Sequence, residues 1–512
     1  MPDAARDHGL GSWLARRARF SPERVALTFG ARSWTYAELQ REIDAFAASL
    51  AQLGVRQGDR VAFLDLNHPN YLLTLFATAR LGAIFVPLNF RLTAPELQFA
   101  LADSGACVLV HSEPFAAAVE QIRDAIPCRA FVRTPDDEEG RLATACVEPG
   151  PPQEERFVDG DAVALIMYTS GTTGRPKGAM ITHDNLLASI HGFSLTFDTR
   201  ADDRTLLVAP LFHIGGLNVT TLSAFLNGAT VVLERRFDPD RVLALLEERR
   251  ITTMFAVPTM LVEMARRPGF ATADLDALRL IVSGGAPVPV PLLEQYLERG
   301  IDVCAGYGMT EAAPLITIVP PGRVLDKVGS VGLPSFFTEV RLVDDDGREV
   351  PPGSPGEFVL RGPNVMKGYW NRPDATAETL VDGWLRTGDV GVQDEDGFFA
   401  VVGRKKDMII TGGENVYPAE VEACLAEHPK IADAAVFGVP EPTWGEAVVA
   451  VVVPLDGAAL SEQEVTAFMA DRLARYKQPR RIVLADELPR SPSGKIVKQE
   501  LRERYADAAL PR

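Results

Sequence analysis

Short apolar runs separated by helix-length stretches recur along residues 33–323, and this alternation limits the fold more than any other feature of the chain. Runs at 61–66, 83–87, 162–168, 205–209, 230–233, 252–257, 278–283 and 302–305 are continuously apolar or nearly so. Strands buried on both faces need that composition. The stretch at 71–80 reads as a helix between the first two. Strands linked through helices imply crossover connections and mostly parallel sheets. A chain of 512 residues is too long for one ordinary core, and two stacked sheets between helices fit this length.

The texture changes at about 327–402, where strand-like runs at 339–343 and 357–360 are split by turn clusters such as Asp345-Asp346-Gly347 and Pro351-Pro352-Gly353. A third segment has strand patterns at 408–411, 434–439 and 447–453, helix patterns at 418–427 and 461–473, and a basic tail. The expected class is α/β. A large N-terminal domain, 1–403, holds stacked, mostly parallel sheets with helices and a β-rich subdomain at 327–402; a small α+β C-terminal domain follows at 404–512.

A net charge of −17 argues against a general nucleic-acid or anionic-membrane binder. Cys107, Cys128, Cys146, Cys304 and Cys424 are scattered, with no Cys-x-x-Cys pair, so a disulfide framework or zinc knuckle is not expected and a reducing cytoplasm is. No apolar run approaches the ~18 residues that span a bilayer.

The chemistry concentrates after the run at 162–168. Tyr168-Thr169-Ser170-Gly171-Thr172-Thr173-Gly174-Arg175-Pro176-Lys177-Gly178 crowds glycines, Ser/Thr hydroxyls and cations into one loop. Glycines let backbone N–H groups close on an anion, hydroxyls donate further hydrogen bonds, and Lys177 adds charge. The Gly-Lys-Ser/Thr ending of a Walker A loop is absent.

This loop, together with Tyr307-Gly308-Met309-Thr310-Glu311, Thr387-Gly388-Asp389, Gly403-Arg404-Lys405-Lys406-Asp407 and Pro492-Ser493-Gly494-Lys495, resembles the signatures of the adenylate-forming superfamily of acyl- and aryl-CoA ligases, luciferases and peptide-synthetase adenylation domains. Each motif is weak alone; their order and separations are specific. The resemblance implies ATP-dependent activation of a carboxylic acid as an acyl-adenylate, transfer to coenzyme A, and a need for Mg²⁺. It assigns Thr169, Ser170, Gly171, Thr172, Thr173, Gly174 and Lys177 to the phosphates, and Gly285, Ala286, Pro287, Gly306, Tyr307, Gly308 and Met309 to the nucleotide. Thr310 would meet the α-phosphate, Glu311 the Mg²⁺ as a hard oxygen ligand, and Asp389 and Arg404 the ribose. Lys495 would bridge the substrate carboxylate and the α-phosphate as charge develops.

The same resemblance implies a C-terminal domain that rotates between half-reactions about Lys406. Gly412, Gly413, Glu414, Trp444 and Lys477 would then serve coenzyme A. His213 would orient the carboxylate rather than move a proton, since a carboxylate needs no base at neutral pH. The acyl pocket would involve His213, Asn218, Gly284, Gly308, Pro314 and Leu315. Adenylation domains for amino acids carry an Asp that pairs with the substrate ammonium; Ala256 stands near that position here, and an unpaired buried ammonium is costly. A fatty or aryl acid is therefore the expected substrate. Delivery to a carrier protein is the alternative, and a homodimer is left open.

Overall fold

The computed structural model describes residues 9–137, 139–153, 156–169, 176–411, 414–441, 445–470, 472–491 and 494–505. The chain divides into two compact units, Met1–Val340 with Leu360–Leu385, and Arg341–Val359 with Arg386–Arg512.

The first unit is built on two sheets. Among the described residues one has nine strands. Its centre is parallel, in the order Val303–Gly308, Leu280–Ser283, Thr253–Ala256, Arg204–Leu207, Thr230–Leu233 and Val25–Phe29. Antiparallel strands close both edges: Arg32–Thr35 on one side, Leu315–Ile318 and Leu333–Pro334 on the other. The second sheet has seven strands. Ala130–Thr134, Val108–Ser112, Arg60–Leu64, Ile84–Pro87 and Val163–Thr169 are parallel, and Lys177–Thr182 and Gly368–Tyr369 extend it antiparallel.

Side-chain alternation stacks these sheets. Val61 and Phe63 face one hydrophobic cluster, while Ala62 and Leu64 face another on the opposite side. Val231 and Leu233 join the same cluster as Val61 and Phe63, whereas Val232 and Leu206 line a third. The shared cluster also takes in Leu39, Ile43, Phe46, Leu72, Leu75 and Phe76. Thus the helices Tyr36–Gln52 and Pro69–Arg80 fill the space between the sheets. The first starts at a capping box in which Thr35 and Glu38 satisfy each other's backbone N–H groups. The expected stacked, mostly parallel sheets are borne out, with strand limits shifted by up to three residues.

The strands Glu339–Val343, Gly356–Arg361, Trp384–Gln393 and Phe399–Arg404 supply the expected β-rich region. In the second unit, Ile431–Glu441 and Gly445–Pro454 form a long antiparallel pair buried on both faces. Val421, Val465 and Met469, from the helices Pro418–Ala426 and Glu462–Ala470, cover one face, and Leu501 of the helix Lys498–Tyr505 covers the other. The basic tail of the sequence is therefore a packed helix up to Tyr505. All five cysteines are free thiols. No helix among the described residues is long and apolar enough to cross a membrane.

Candidate active site

The glycine-rich loop is pinned at its ends. Val163–Thr169 and Lys177–Thr182 are antiparallel, with Thr169 opposite Lys177 and Tyr168 opposite Gly178. Ser170, Gly171, Thr172, Thr173 and Gly174 lie outside the described residues. A Cβ on Gly178 would stand 2.6 Å from Ile166 Cγ2, so the close pairing needs glycine there. Tyr168 donates to Asp103 at 2.9 Å, and Arg372 holds the other oxygen of that carboxylate at 2.5 Å.

A second corner forms where the strand Val303–Gly308 turns back into Leu315–Ile318. Thr310–Ala312 make a short 3-10 turn and Ala313 is left-handed at φ 57°. Gly308 permits the reversal, because a Cβ would lie 2.1 Å from the Pro314 carbonyl oxygen. Two buried amides hold the turn. Asn218 donates to Ala313 O at 2.6 Å, and Asn364 donates to Ala312 O at 3.0 Å and Leu315 O at 2.9 Å. The Glu311 carboxylate is only 5% exposed. Its Oε1 accepts from Tyr369 OH at 2.8 Å and lies 3.3 Å from Thr169 Oγ1. The loop end and the Glu311 corner, distant in sequence, are thus brought together. Both hydrogen bonds among the described residues fall on Oε1. A lone hard carboxylate beside a phosphate-type loop suits Mg²⁺, which keeps waters and phosphate oxygens as its other ligands.

Further strand termini converge beside this corner. Gly285, at φ 87°, ends Leu280–Ser283, and a Cβ on Gly284 would meet Gly306 O at 3.1 Å, so the two neighbouring termini touch through bare backbone. Ala286 and Pro287 follow in the same turn. The Phe255 ring would contact a Cβ on Gly215 at 3.0 Å and one on Gly284 at 3.9 Å, so it stands between the His213 segment and the Gly284 turn. His213 is exposed; its ring lies 4.3 Å from that of Phe212, which packs edge-on against Phe90 at 5.1 Å. Residues Gly215–Thr221 form a π-helical turn, a distortion often found at functional sites. Crevices at the carboxyl ends of parallel strands are where α/β sheets bind ligands. Tyr369 and Asn364 were not singled out from sequence. Neither sits in a motif, and each reaches the Glu311 turn across more than fifty residues of chain.

In the second unit, Asp389 and Arg404 lie directly opposite on paired strands, and Arg404 Nε meets Asp389 Oδ1 at 2.9 Å. Asp389 is buried at 6% exposure. Lys406 sits in the turn Lys405–Asp407, and both of its neighbours are tied down. Lys405 pairs with Asp345 at 2.7 Å and Glu357 at 3.3 Å, and Arg502 with Asp407 at 3.2 Å. The Asp345 carboxylate holds the Lys405 ammonium above its usual range. Lys495 is exposed at the rim of a tight hairpin in which Ser491 N donates to Lys495 O at 2.8 Å and Gly494 is left-handed at φ 83°. Glu414 is exposed on the strand Glu414–Val416. Lys477 pairs with Glu420 at 2.5 Å. Gly412, Gly413 and Trp444 lie outside the described residues.

Residues 14–370 match the family described as AMP-binding enzyme, and residues 420–495 match its C-terminal domain. The chain is 50% identical over 500 residues to a feruloyl-CoA synthase from an Amycolatopsis species, covering 98% of this chain and 100% of that one. It is 43% identical to an indoleacetate–CoA ligase of Aromatoleum aromaticum, covering 97% and 98%. Among solved structures, o-succinylbenzoate CoA synthetase from Bacillus subtilis with its acyl-adenylate intermediate is similar at TM-score 0.87 and 37% identity, over 98% of this chain and 99% of that one. The chain belongs to the AMP-binding enzyme family and is an AMP-forming acid–CoA ligase that uses ATP, Mg²⁺ and coenzyme A.

Proposed function

We propose that this ligase activates an aryl acid, with a planar ring joined to its carboxylate by a short unsaturated or methylene link. The observation that carries this reading is the Phe255 ring standing between Gly215 and Gly284, with Phe212 and Phe90 packed edge-on beside His213. Glycine at 215 and 284 lets the Phe255 ring lie against bare backbone, so an aromatic face borders these strand termini, and offset or edge contacts with it favour an aromatic guest. The feruloyl-CoA and indoleacetate ligases among the relatives act on acids of this shape. Ala256, fully buried, offers no counter-charge for an amino-acid ammonium.

In this reading His213 and the Gly308–Leu315 corner orient the carboxylate so that its oxygen attacks the α-phosphorus. Thr169, Lys177 and the loop between them hold the outer phosphates, and Thr310 holds the inner one. Glu311 would hold Mg²⁺, which when bound would supply positive charge against the phosphates. Asp389, oriented by Arg404, accepts from the ribose hydroxyls. Lys495 meets the charge that develops at the α-phosphorus. Rotation about Lys406 then exchanges Lys495 for the coenzyme A surface of Gly412, Gly413, Glu414, Trp444 and Lys477, where Lys477 must leave Glu420 to reach a phosphate. Five free thiols support a reducing cytoplasm as the working compartment. The test is a panel of hydroxycinnamic, arylacetic and fatty acids with ATP and Mg²⁺, with and without coenzyme A, read by mass spectrometry of adenylate and thioester. A preference for fatty over aryl acids overturns the substrate class.

A further inference from the structure

Tyr369 lies against two charged groups of the candidate site. Its hydroxyl donates to Glu311 Oε1 at 2.8 Å, and Lys177 Nζ lies over its ring, 5.2 Å from the centroid. The backbone that carries the ring is held by strand pairing and hydrogen bonds. The strand Gly368–Tyr369 pairs with Lys177–Thr182, placing Tyr369 opposite Ala179. Tyr369 N donates to Thr376 Oγ1 at 2.9 Å, and the flanking Lys367 N and Trp370 N donate to Met180 O at 2.9 Å and Gly178 O at 2.8 Å. Met366 N reaches the Glu311 carbonyl at 2.8 Å, so the segment bearing the tyrosine is fastened to the carboxylate's own backbone.

We propose that Tyr369 is a positioning residue for the metal site: its hydroxyl fixes Glu311 by one oxygen so that the other is presented to Mg²⁺, and its ring occupies the Lys177 ammonium so that the lysine does not neutralise the carboxylate. This rests on the reading of Glu311 as the Mg²⁺ ligand. Without the ring, a flexible ammonium beside a buried carboxylate forms a direct ion pair, and a carboxylate engaged by a cation binds a second one less well. The π face is a weaker and non-competing partner that holds the ammonium ready for phosphate oxygens.

The test measures Mn²⁺ affinity by electron paramagnetic resonance in the presence of a non-hydrolysable ATP analogue, with no turnover required. Tyr369→Phe keeps the ring and removes one oxygen; it is expected to weaken Mn²⁺ about tenfold, the usual worth of a hydrogen bond to a charged group. Tyr369→Leu is expected to weaken it further, and Lys177→Gln added to Tyr369→Leu to recover part of the loss. Unchanged affinity in the Phe variant overturns the hydroxyl role. Equal affinities in the Phe and Leu variants, or no recovery in the double variant, overturn the shielding role. If the Leu variant does not fold, Lys177→Gln added to Tyr369→Phe replaces it, and a gain there overturns shielding by the ring. Glu311→Gln is measured alongside: if it binds Mn²⁺ as tightly as the wild type, the reading of Glu311 fails, independently of the tyrosine.

Discussion

In the proposed reaction the Glu311 corner and the Lys495 hairpin supply opposite charges, yet they are built in opposite ways. Glu311 is buried, and its turn is held by amides from Asn218 and Asn364 and a phenol from Tyr369, all distant in sequence. Lys495 is exposed on a hairpin closed by its own backbone, through Ser491 N to Lys495 O and Gly494 N to Ser491 O, both at 2.8 Å. A group needed throughout the reaction can be set rigidly into a core. A group needed in one half-reaction is better carried on a self-contained turn that keeps its shape when its unit moves.

The sharpest break in this comparison is Lys495→Ala. Adenylate formation should fall by about 10²–10³, while thioester formation from supplied acyl-adenylate and the thermal midpoint stay near wild type. Equal losses in both half-reactions, seen by pyrophosphate exchange and thioester assays, would reject the division of labour. At the other site activity and stability should fall together. Asn364→Ala leaves two buried carbonyl oxygens unsatisfied, which should cost about 2–4 kcal/mol in denaturant unfolding along with pyrophosphate exchange.

A pH series tests the same contrast more gently. Burial, then the nearby Arg235, hold His68 down at about 4 against an ordinary 6.5. Between these values the unfolded chain binds the extra proton, so stability is complete above 6.5 and is lost as pH falls toward 4. By pH 5 the first unit should lose about 2 kcal/mol, and His68→Gln should lose less; identical pH profiles in denaturant would exclude His68 as the cause. Smallest of all, Arg502→Ala removes a half-exposed pair with Asp407 and should shift unfolding by under about 1 kcal/mol. A larger shift would mean that the turn around Lys406 is braced more firmly than its exposure indicates.

What sequence could reveal tracks how local the cause is. The inner strands were legible because burial on both faces demands a continuous apolar run, as at Ile84–Pro87. Val25–Phe29 is not distinguished by the sequence pattern; its parallel partner, Thr230–Leu233, lies some two hundred residues away, and that pairing places it in the sheet. Lys498–Tyr505 looked like a basic tail because Leu501 alone among its residues is buried. At the site, Glu311 and Lys177 stood out through their motifs. Tyr369 and Asn364, which hydrogen-bond to the Glu311 turn from a distant segment, leave no periodicity or composition to read.

The five free cysteines have a consequence for an enzyme whose second substrate is itself a thiol. Burial raises every one of them, Cys128 to about 12, and likewise Cys107, Cys146, Cys304 and Cys424. Thiolates, not thiols, attack disulfides, so oxidised coenzyme A finds almost no nucleophile on this chain. The protein can hold a pantetheine sulfur close by without being capped by it as a mixed disulfide.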